Sequence, residues 1–570
     1  MPSSRGSRFG RRTFLRQTAG AIAFWEGHRL ASAATLDGNP TETLYNGIQL
    51  ARPWPPRYQG LSPKPITPPY LVAPPSVIPI DVGRQLFVDD FLIEETSLTR
   101  TFHRPEYYAQ NPVLRPSAEW ERYDEYAERT KTRSNPAAMP FSDGVFYDPH
   151  ERIFKMWYMG GYAQNTCYAV SHDGIEWNKP ALDVVGGTNI VRAGPRDSST
   201  VWLDLNDRDA SRRYKMTSWY DHYLQMFASA DGVHWRDLGR TGLTGDRTTF
   251  FYNPFRRVWV YSLRGESADR GLGRHRRYWE TPDLFANVSW QKDEPPIWIG
   301  ADADDPRRLE LNVPTELYNL DCVAYESVVL GLFTIFRGER GEREKPNDVC
   351  VGFSRDGFHW HRPDRRPFVS VSEQIGAWNW ANVQSAGGCC VVVGDKLYFY
   401  VSGRKGRPGT NEPGVCSTGL ATLRRDGFVS MDAGGTEPRA RRISPAAPPG
   451  TLTTRPLRFS GRHLFVNIDA PDGELRVEML DREARPLAPF SAGTCNPVTG
   501  DQTRARVTWS AAADVARLAG EVVRLRFHLT RGRLYAFWVS PSPAGSSGGY
   551  VGAGGPGFPG DRDNAAVSGR

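Results

Sequence analysis

Five acidic side chains stand at the edges of short apolar runs. Asp143 precedes Gly144-Val145-Phe146-Tyr147, and Asp197 lies just ahead of Thr200-Val201-Trp202-Leu203. Asp246 precedes Thr249-Phe250-Phe251-Tyr252, while Glu316 and Asp321 bracket Leu317-Tyr318-Asn319-Leu320. Carboxyl groups held in unlike environments can divide acid and base duties between them. A second group, Trp378, Asn379, Trp380, Asn382 and Gln384, combines aromatic faces with amides. Such a set can cover the apolar side of a ring and fix its hydroxyl groups. Plainer readings stand beside these. Asp143-Gly144 also suits a turn at a strand entrance, Glu316 also suits an exposed loop, and the tryptophans also suit packing between strands.

The elements that would position these groups come from an internal repeat. Ser171-His172-Asp173-Gly174-Ile175-Glu176-Trp177 returns as Ser229-Ala230-Asp231-Gly232-Val233-His234-Trp235 and as Ser354-Arg355-Asp356-Gly357-Phe358-His359-Trp360. Weaker copies are Thr281-Pro282-Asp283-Leu284-Phe285 and Arg425-Asp426-Gly427-Phe428. The Asp-Gly pair suits a tight turn with positive φ. Two apolar runs precede each copy, for example Gly144-Val145-Phe146-Tyr147 and Phe154-Lys155-Met156-Trp157-Tyr158. Each unit therefore reads as a four-stranded antiparallel sheet. There are five, which predicts an all-β, five-bladed propeller over 81–445. Leu86-Phe87-Val88-Asp89-Asp90-Phe91-Leu92-Ile93 is expected to close the ring by adding a strand to the last blade, which could bring Asp90 toward the axis. From 450 to 540 shorter alternating runs such as Leu475-Arg476-Val477-Glu478-Met479 predict a β-sandwich.

The ends and the composition bound the class. The chain has 570 residues with 56 Gly and 44 Pro, which favours turns and short strands. The net charge is +7, yet the basic residues are scattered and no nucleic-acid motif occurs. Arg11-Arg12-Thr13-Phe14-Leu15-Arg16, a short apolar run and Ala31-Ser32-Ala33 read as a twin-arginine export signal over 1–34, which implies a periplasmic or secreted protein. No segment is apolar enough to span a membrane. Residues 35–80 are rich in Pro and read as a linker or arm, and 541–570 as a disordered tail. The seven cysteines include no Cys-x-x-Cys pair, so neither a zinc site nor a disulfide framework is expected. No cofactor is implied. A structural Ca²⁺ held by loop carboxylates would leave little trace in a sequence.

The order of elements resembles glycoside hydrolase families 32 and 43: a five-bladed propeller with Asp-Gly-x-x-Trp turns and, as in family 32, a sandwich behind it. Ala421-Thr422-Leu423-Arg424-Arg425-Asp426-Gly427-Phe428 with Leu452-Thr453-Thr454 is similar to the family 32 junction between the two. The family 32 nucleophile motif Trp-Met-Asn-Asp-Pro-Asn-Gly is absent. The resemblance implies a carbohydrate substrate, a furanoside or a related sugar, cleaved between paired carboxylates in the funnel. On that basis Asp143 is the expected nucleophile or base and Glu316 the expected acid. Asp197, in Arg196-Asp197-Ser198, is similar to a substrate-binding Arg-Asp-Pro motif, and Asp246 matches it in the third unit. Asp321 is an alternate. Trp279-Glu280-Thr281-Pro282-Asp283-Leu284-Phe285 resembles the family 32 acid motif, but its register is that of an outer turn, so Glu280 is only an alternate acid. Trp378, Trp380, Asn382 and Gln384 are the expected sugar platform. Carboxyl groups about 5–5.5 Å apart would imply retention, and about 6.5–9.5 Å inversion. A carbohydrate-binding propeller without catalysis is the competing reading.

Overall fold

In the computed structural model, residues 41–124, 127–128, 133–265, 272–291, 293–311, 313–338, 342–434 and 449–564 are described. The signal motif at Arg11–Arg16 lies outside them. Three four-stranded repeats, a three-stranded one and a closing one make the propeller. Blade I runs Ala138–Asp148, Ile153–Gly160, Asn165–Ser171 and Ile190–Arg192. Blade II runs Ser199–Leu203, Tyr214–Tyr220, Tyr223–Ser229 and Arg236–Arg240. Blade III runs Thr249–Asn253, Val258–Gly265, His275–Thr281 and Ile297–Gly300. Blade IV runs Glu316–Glu326, Val328–Phe336 and Asp348–Ser354, edged by bridges to His361 and Val369. Blade V runs Asn382–Ser385 and Val391–Val393 in line, then Lys396–Arg404 and Cys416–Arg424. The innermost strand of each blade packs on blades to either side, and blade V returns to blade I.

The repeated turn explains the stacking. In Ser171-His172-Asp173-Gly174, the Asp173 carboxylate accepts from the amides of Ile175 (2.8 Å) and Glu176 (2.9 Å), while Ser171 Oγ accepts from Gly174 N. The same bonds recur around Asp231 and Asp356. Each turn then docks on the preceding blade. Tyr400 of blade V donates to Gly174 O at 2.7 Å, Trp157 of blade I to Gly232 O at 2.7 Å, and Trp298 of blade III to Phe358 O at 2.8 Å. Gly232 has φ +81°, and a Cβ there would lie 2.6 Å from the Trp157 ring. Only glycine meets both demands.

Two expectations need correction. The ring is not closed by 86–93. Glu106–Tyr107 supplies the outer strand of blade V, pairing with Thr422 and Ala421. The earlier strands Gln85–Leu86, Ile93–Thr96 and Thr99–Phe102 join the C-terminal sheet, as does Val429–Ala433. Their apolar faces bury there because that sheet carries a separate core, which includes Phe87, Phe91, Leu464, Val477, Phe527 and Phe537. The C-terminal strands are joined in one hydrogen-bonded path of nine strands. The long strand His463–Leu480 pairs with Gly532–Ser540 along its first half and with Arg524–Thr530 along its second. Secondly, 541–564 is ordered. Tyr550–Val551 pairs with Tyr325 and Glu326 of blade IV, Ala553 N donates to Cys390 O, and Tyr147 N donates to Ala553 O. Composition suggested disorder, but backbone pairing to exposed strand ends satisfies this segment where side chains cannot. Residues 565–570 lie outside the described residues.

The arm behaves as a wrapping segment from residue 42 onward. Tyr45 stacks on Phe255 at 4.2 Å and Tyr70 OH donates to His359 O, while Leu44, Ile48 and Leu50 enter the second core. All seven cysteines are free and buried. Among the described residues no helix is long and apolar enough to cross a membrane.

Candidate functional site at the mouth of the propeller

The inner strands begin at one end of the ring, and polar residues from every blade meet there in two tiers. The deeper tier is sealed from solvent. In blade I the strand bulges between Met139 and Gly144, with Ser142 at φ +62° and Gly144 at φ +139°. This kink turns Ser142 and Asp143 toward the neighbouring blades. Asp143 is gripped by both ends of the Arg196 guanidinium, at 2.5 and 2.9 Å, and neither side chain has measurable exposure. Burial pushes the Asp143 pKa up, and Arg196 opposes that shift. Such a forked pair is strong and directional.

Asp321 is the second buried carboxylate. One of its oxygens accepts from Ser142 Oγ (3.2 Å) of blade I, Asn319 Nδ2 (2.9 Å) of its own strand and Ser385 Oγ (2.6 Å) of blade V. Burial pushes its pKa up to about 6, against the pull of Arg247. Arg247 of blade III donates to Phe141 O and Ser142 Oγ, and lies 3.8 Å over the Phe141 ring. Arg276 donates to Arg247 O at 2.8 Å, and Arg404 to Glu344 at 2.7 Å. This tier fixes the relative positions of blades I, III, IV and V with charge-assisted bonds.

The upper tier is half-buried. The Asp197 carboxylate, at the entrance of blade II, has no ion pair or hydrogen bond among the described residues, and its Oδ1 is buried. It lies within electrostatic reach of Arg247 and Tyr162. Asp246, at the entrance of blade III, pairs with Arg264. Glu316, which begins the inner strand of blade IV, pairs with Arg274. Arg274 in turn lies over Phe336 at 4.3 Å. Three half-buried carboxylates thus stand at the entrances of three inner strands.

The remaining expectations sort clearly. Glu280 lies at the other end of blade III, opposite Val260, and is held by Arg256 and Tyr278 OH. Its register decided against the motif resemblance. Asp90 is on the surface beside Arg100, and Asp89 is buried against Arg355, both far from the axis in the C-terminal sheet region. Trp378 packs where a Cβ on Gly403 or Gly419 would collide with it, edge-on to Tyr107 at 5.7 Å. It therefore fills space within blade V. Trp380 is buried beneath Arg343. Asn382 donates to Lys345 O, and Gln384 donates to Asn382 Oδ1, both buried. Sequence reasoning passed over Arg196, Arg247, Arg276 and Arg404. Arg196-Asp197 and Asp246-Arg247 stand at matching places in two blades, and that recurrence was the available signal. Among the described residues no cluster of His, Cys, Asp or Glu is arranged to hold a metal ion.

No family model matches the chain, and no curated protein matches it in sequence. Solved structures do match. An N-acetylgalactosamine deacetylase from F. plautii, in complex with blood group B trisaccharide, is 12% identical over 56% of this chain and 97% of its own, with a TM-score of 0.38. A thermostable family-43 glycoside hydrolase is 12% identical over 55% of this chain and 100% of its own, with a TM-score of 0.38. A fructofuranosidase from Schwanniomyces occidentalis, complexed with fructosylnystose, is 9% identical over 75% of this chain and 96% of its own, with a TM-score of 0.33. At such values none of them carries a residue role or an activity over to this chain. By its own strand order the chain is a five-bladed β-propeller, the architecture of the family 32 and 43 glycoside hydrolases that its Asp-Gly-x-x-Trp turns resemble.

Proposed function

We propose that the protein is a glycoside hydrolase acting at the mouth of the propeller. Asp197 serves as base or nucleophile, Glu316 as proton donor, and Asp246 holds substrate hydroxyl groups. The observation that carries this reading is the two-tier arrangement: half-buried carboxylates from blades II, III and IV above a sealed ionic layer. Glycosidic cleavage needs two carboxyl groups on opposite sides of the bond, and on this reading Asp197 of blade II and Glu316 of blade IV serve as that pair. Asp143 moves from nucleophile to positioning residue, since both its oxygens are occupied by Arg196 and it is sealed from solvent.

A binding propeller without turnover is the second reading. It is favoured by the ion pairs of Asp246 and Glu316, which neutralise two of the three accessible acids. A screen of aryl furanosides and oligosaccharides separates the two. With the wild type active, Asp197→Asn and Glu316→Gln are each expected to lower kcat/KM by roughly 10²–10⁴ with unchanged melting temperature. Activity surviving in both variants overturns the assignment. We further propose that Arg11–Arg16 directs export by the twin-arginine route. Fusing residues 1–34 to a reporter is expected to carry it across the membrane, and Arg11→Lys with Arg12→Lys to retain it inside.

A further inference from the structure

Beside the mouth, on the rim between blades II and III, lies a cleft of about 250 Å³. Gly245 and Arg264 line it, and these are the chain neighbour and the ion-pair partner of Asp246.

Two features of the cleft are not explained by folding. The first is Leu243, which is 51% exposed on a loop that is held rigidly. Trp290 Nε1 donates to Leu243 O at 2.9 Å and Trp219 Nε1 donates to Thr244 O at 2.9 Å. Thr244 N donates to His222 O at 2.8 Å. Two indoles therefore anchor consecutive carbonyls and leave the leucyl side chain facing the cleft. Leu243 thus offers a fixed apolar surface to a ligand entering the cleft.

The second is His222. It sits in the two-residue turn between Tyr214–Tyr220 and Tyr223–Ser229, with Asp221 at φ +52° and His222 at φ +70°. Such turns favour Asn-Gly, because a side chain at positive φ is strained. The imidazole is nevertheless kept, set edge-on to Trp219 at 6.2 Å. Opposite it, Arg277 and Asp293 form a polar edge at 2.9 Å. An apolar floor flanked by donors and acceptors matches one face and the rim of a sugar ring. The volume is close to the lower limit of small-ligand sites, about 300 Å³, which suits a single sugar unit.

We propose that this cleft binds the sugar unit next to the scissile one, so that the substrate is an oligosaccharide and its chain runs outward over blades II and III. The proposal rests on the hydrolase reading. It is tested by comparing kcat/KM for an aryl monoglycoside with that for the matching disaccharide and trisaccharide, using the wild type, Leu243→Ser and His222→Gly. The wild type is expected to gain about tenfold from the first added unit and little from the next. The disaccharide-to-monoglycoside ratio is expected to fall about tenfold in both variants. His222→Gly relieves a strained position, so its melting temperature is expected to hold or rise, and a fall in the ratio then reports the lost imidazole. Equal kcat/KM for all three substrates in the wild type overturns the cleft proposal alone, as does an unchanged ratio in both variants. No turnover of any substrate overturns the hydrolase reading, and this proposal with it.

Discussion

Asp143 and Asp321 show how two buried carboxylates of one tier differ. Asp143 has a guanidinium on both oxygens, whereas Asp321 has only neutral donors in contact and Arg247 at longer range. Arg196→Met would leave Asp143 charged and unpaired in the interior, at an expected cost of about 3–5 kcal/mol in chemical denaturation. Adding Asp143→Leu should recover much of that loss, because the stranded charge is then gone. For Asp321 the sign is the reverse of a paired acid. Its pKa is raised to about 6, so the folded protein holds the proton more tightly than the unfolded chain. The stabilisation is complete below the ordinary carboxylate range and is lost as pH rises through about 6. Relative to Asp321→Asn, the wild type is expected to lose on the order of 3 kcal/mol between acid and neutral pH. A pH-independent difference between the two proteins would refute this.

At the scale of elements, the Asp-Gly turn does two jobs with one residue pair. It reverses the chain within a blade and presents a carbonyl to the aromatic donor of the blade before. Trp157→Phe keeps an aromatic ring but gives up part of the packed volume and leaves Gly232 O without its donor, so a loss of at least about 1–3 kcal/mol is expected. Gly232→Ala adds strain at φ +81° and a clash with Trp157, and should cost at least as much. Both should lower the denaturant midpoint without changing the slope. Asp426-Gly427 departs from the series. Its carboxylate accepts from Arg84 (2.8 Å), Tyr325 OH (2.7 Å) and Asn467 (2.9 Å), because the strand that follows leaves the propeller for the C-terminal sheet.

Across the whole molecule, one segment ahead of the first blade and one after the C-terminal sheet tie the ring together. The N-terminal segment gives blade V its outer strand, and the C-terminal segment crosses the far end of the axis, bonded to blades I, IV and V. A buried cluster ties these parts together: Arg425 donates to Glu326 and to Asp563, each at 3.1 Å, and Ser547 donates to Glu326 at 2.7 Å. Ending the chain at Ser540 is therefore expected to lower the melting temperature by several degrees. Hydrogen exchange should accelerate at Tyr325–Glu326 and Cys390–Val392, where the backbone partners are lost. Unchanged exchange there would contradict a clasping role for the tail.

The sequence by itself determined the blades. A turn that needs Asp, a positive-φ Gly and flanking apolar strands is a local requirement, and local requirements are written in neighbouring residues. It also marked the strand entrances, where Asp197, Asp246 and Glu316 stand. Only the tertiary structure decided which acids are reachable. The grip of Arg196 on Asp143, the surface position of Asp90, the far-end register of Glu280 and the packing of Trp378 all depend on partners from other parts of the chain. The same holds for 541–564, whose Gly-rich composition signals disorder in isolation and whose order comes from strand ends that other blades provide. Spacing along a chain records what each residue's own backbone requires. Burial, ion pairing and the company a carboxylate keeps are properties of the assembled ring.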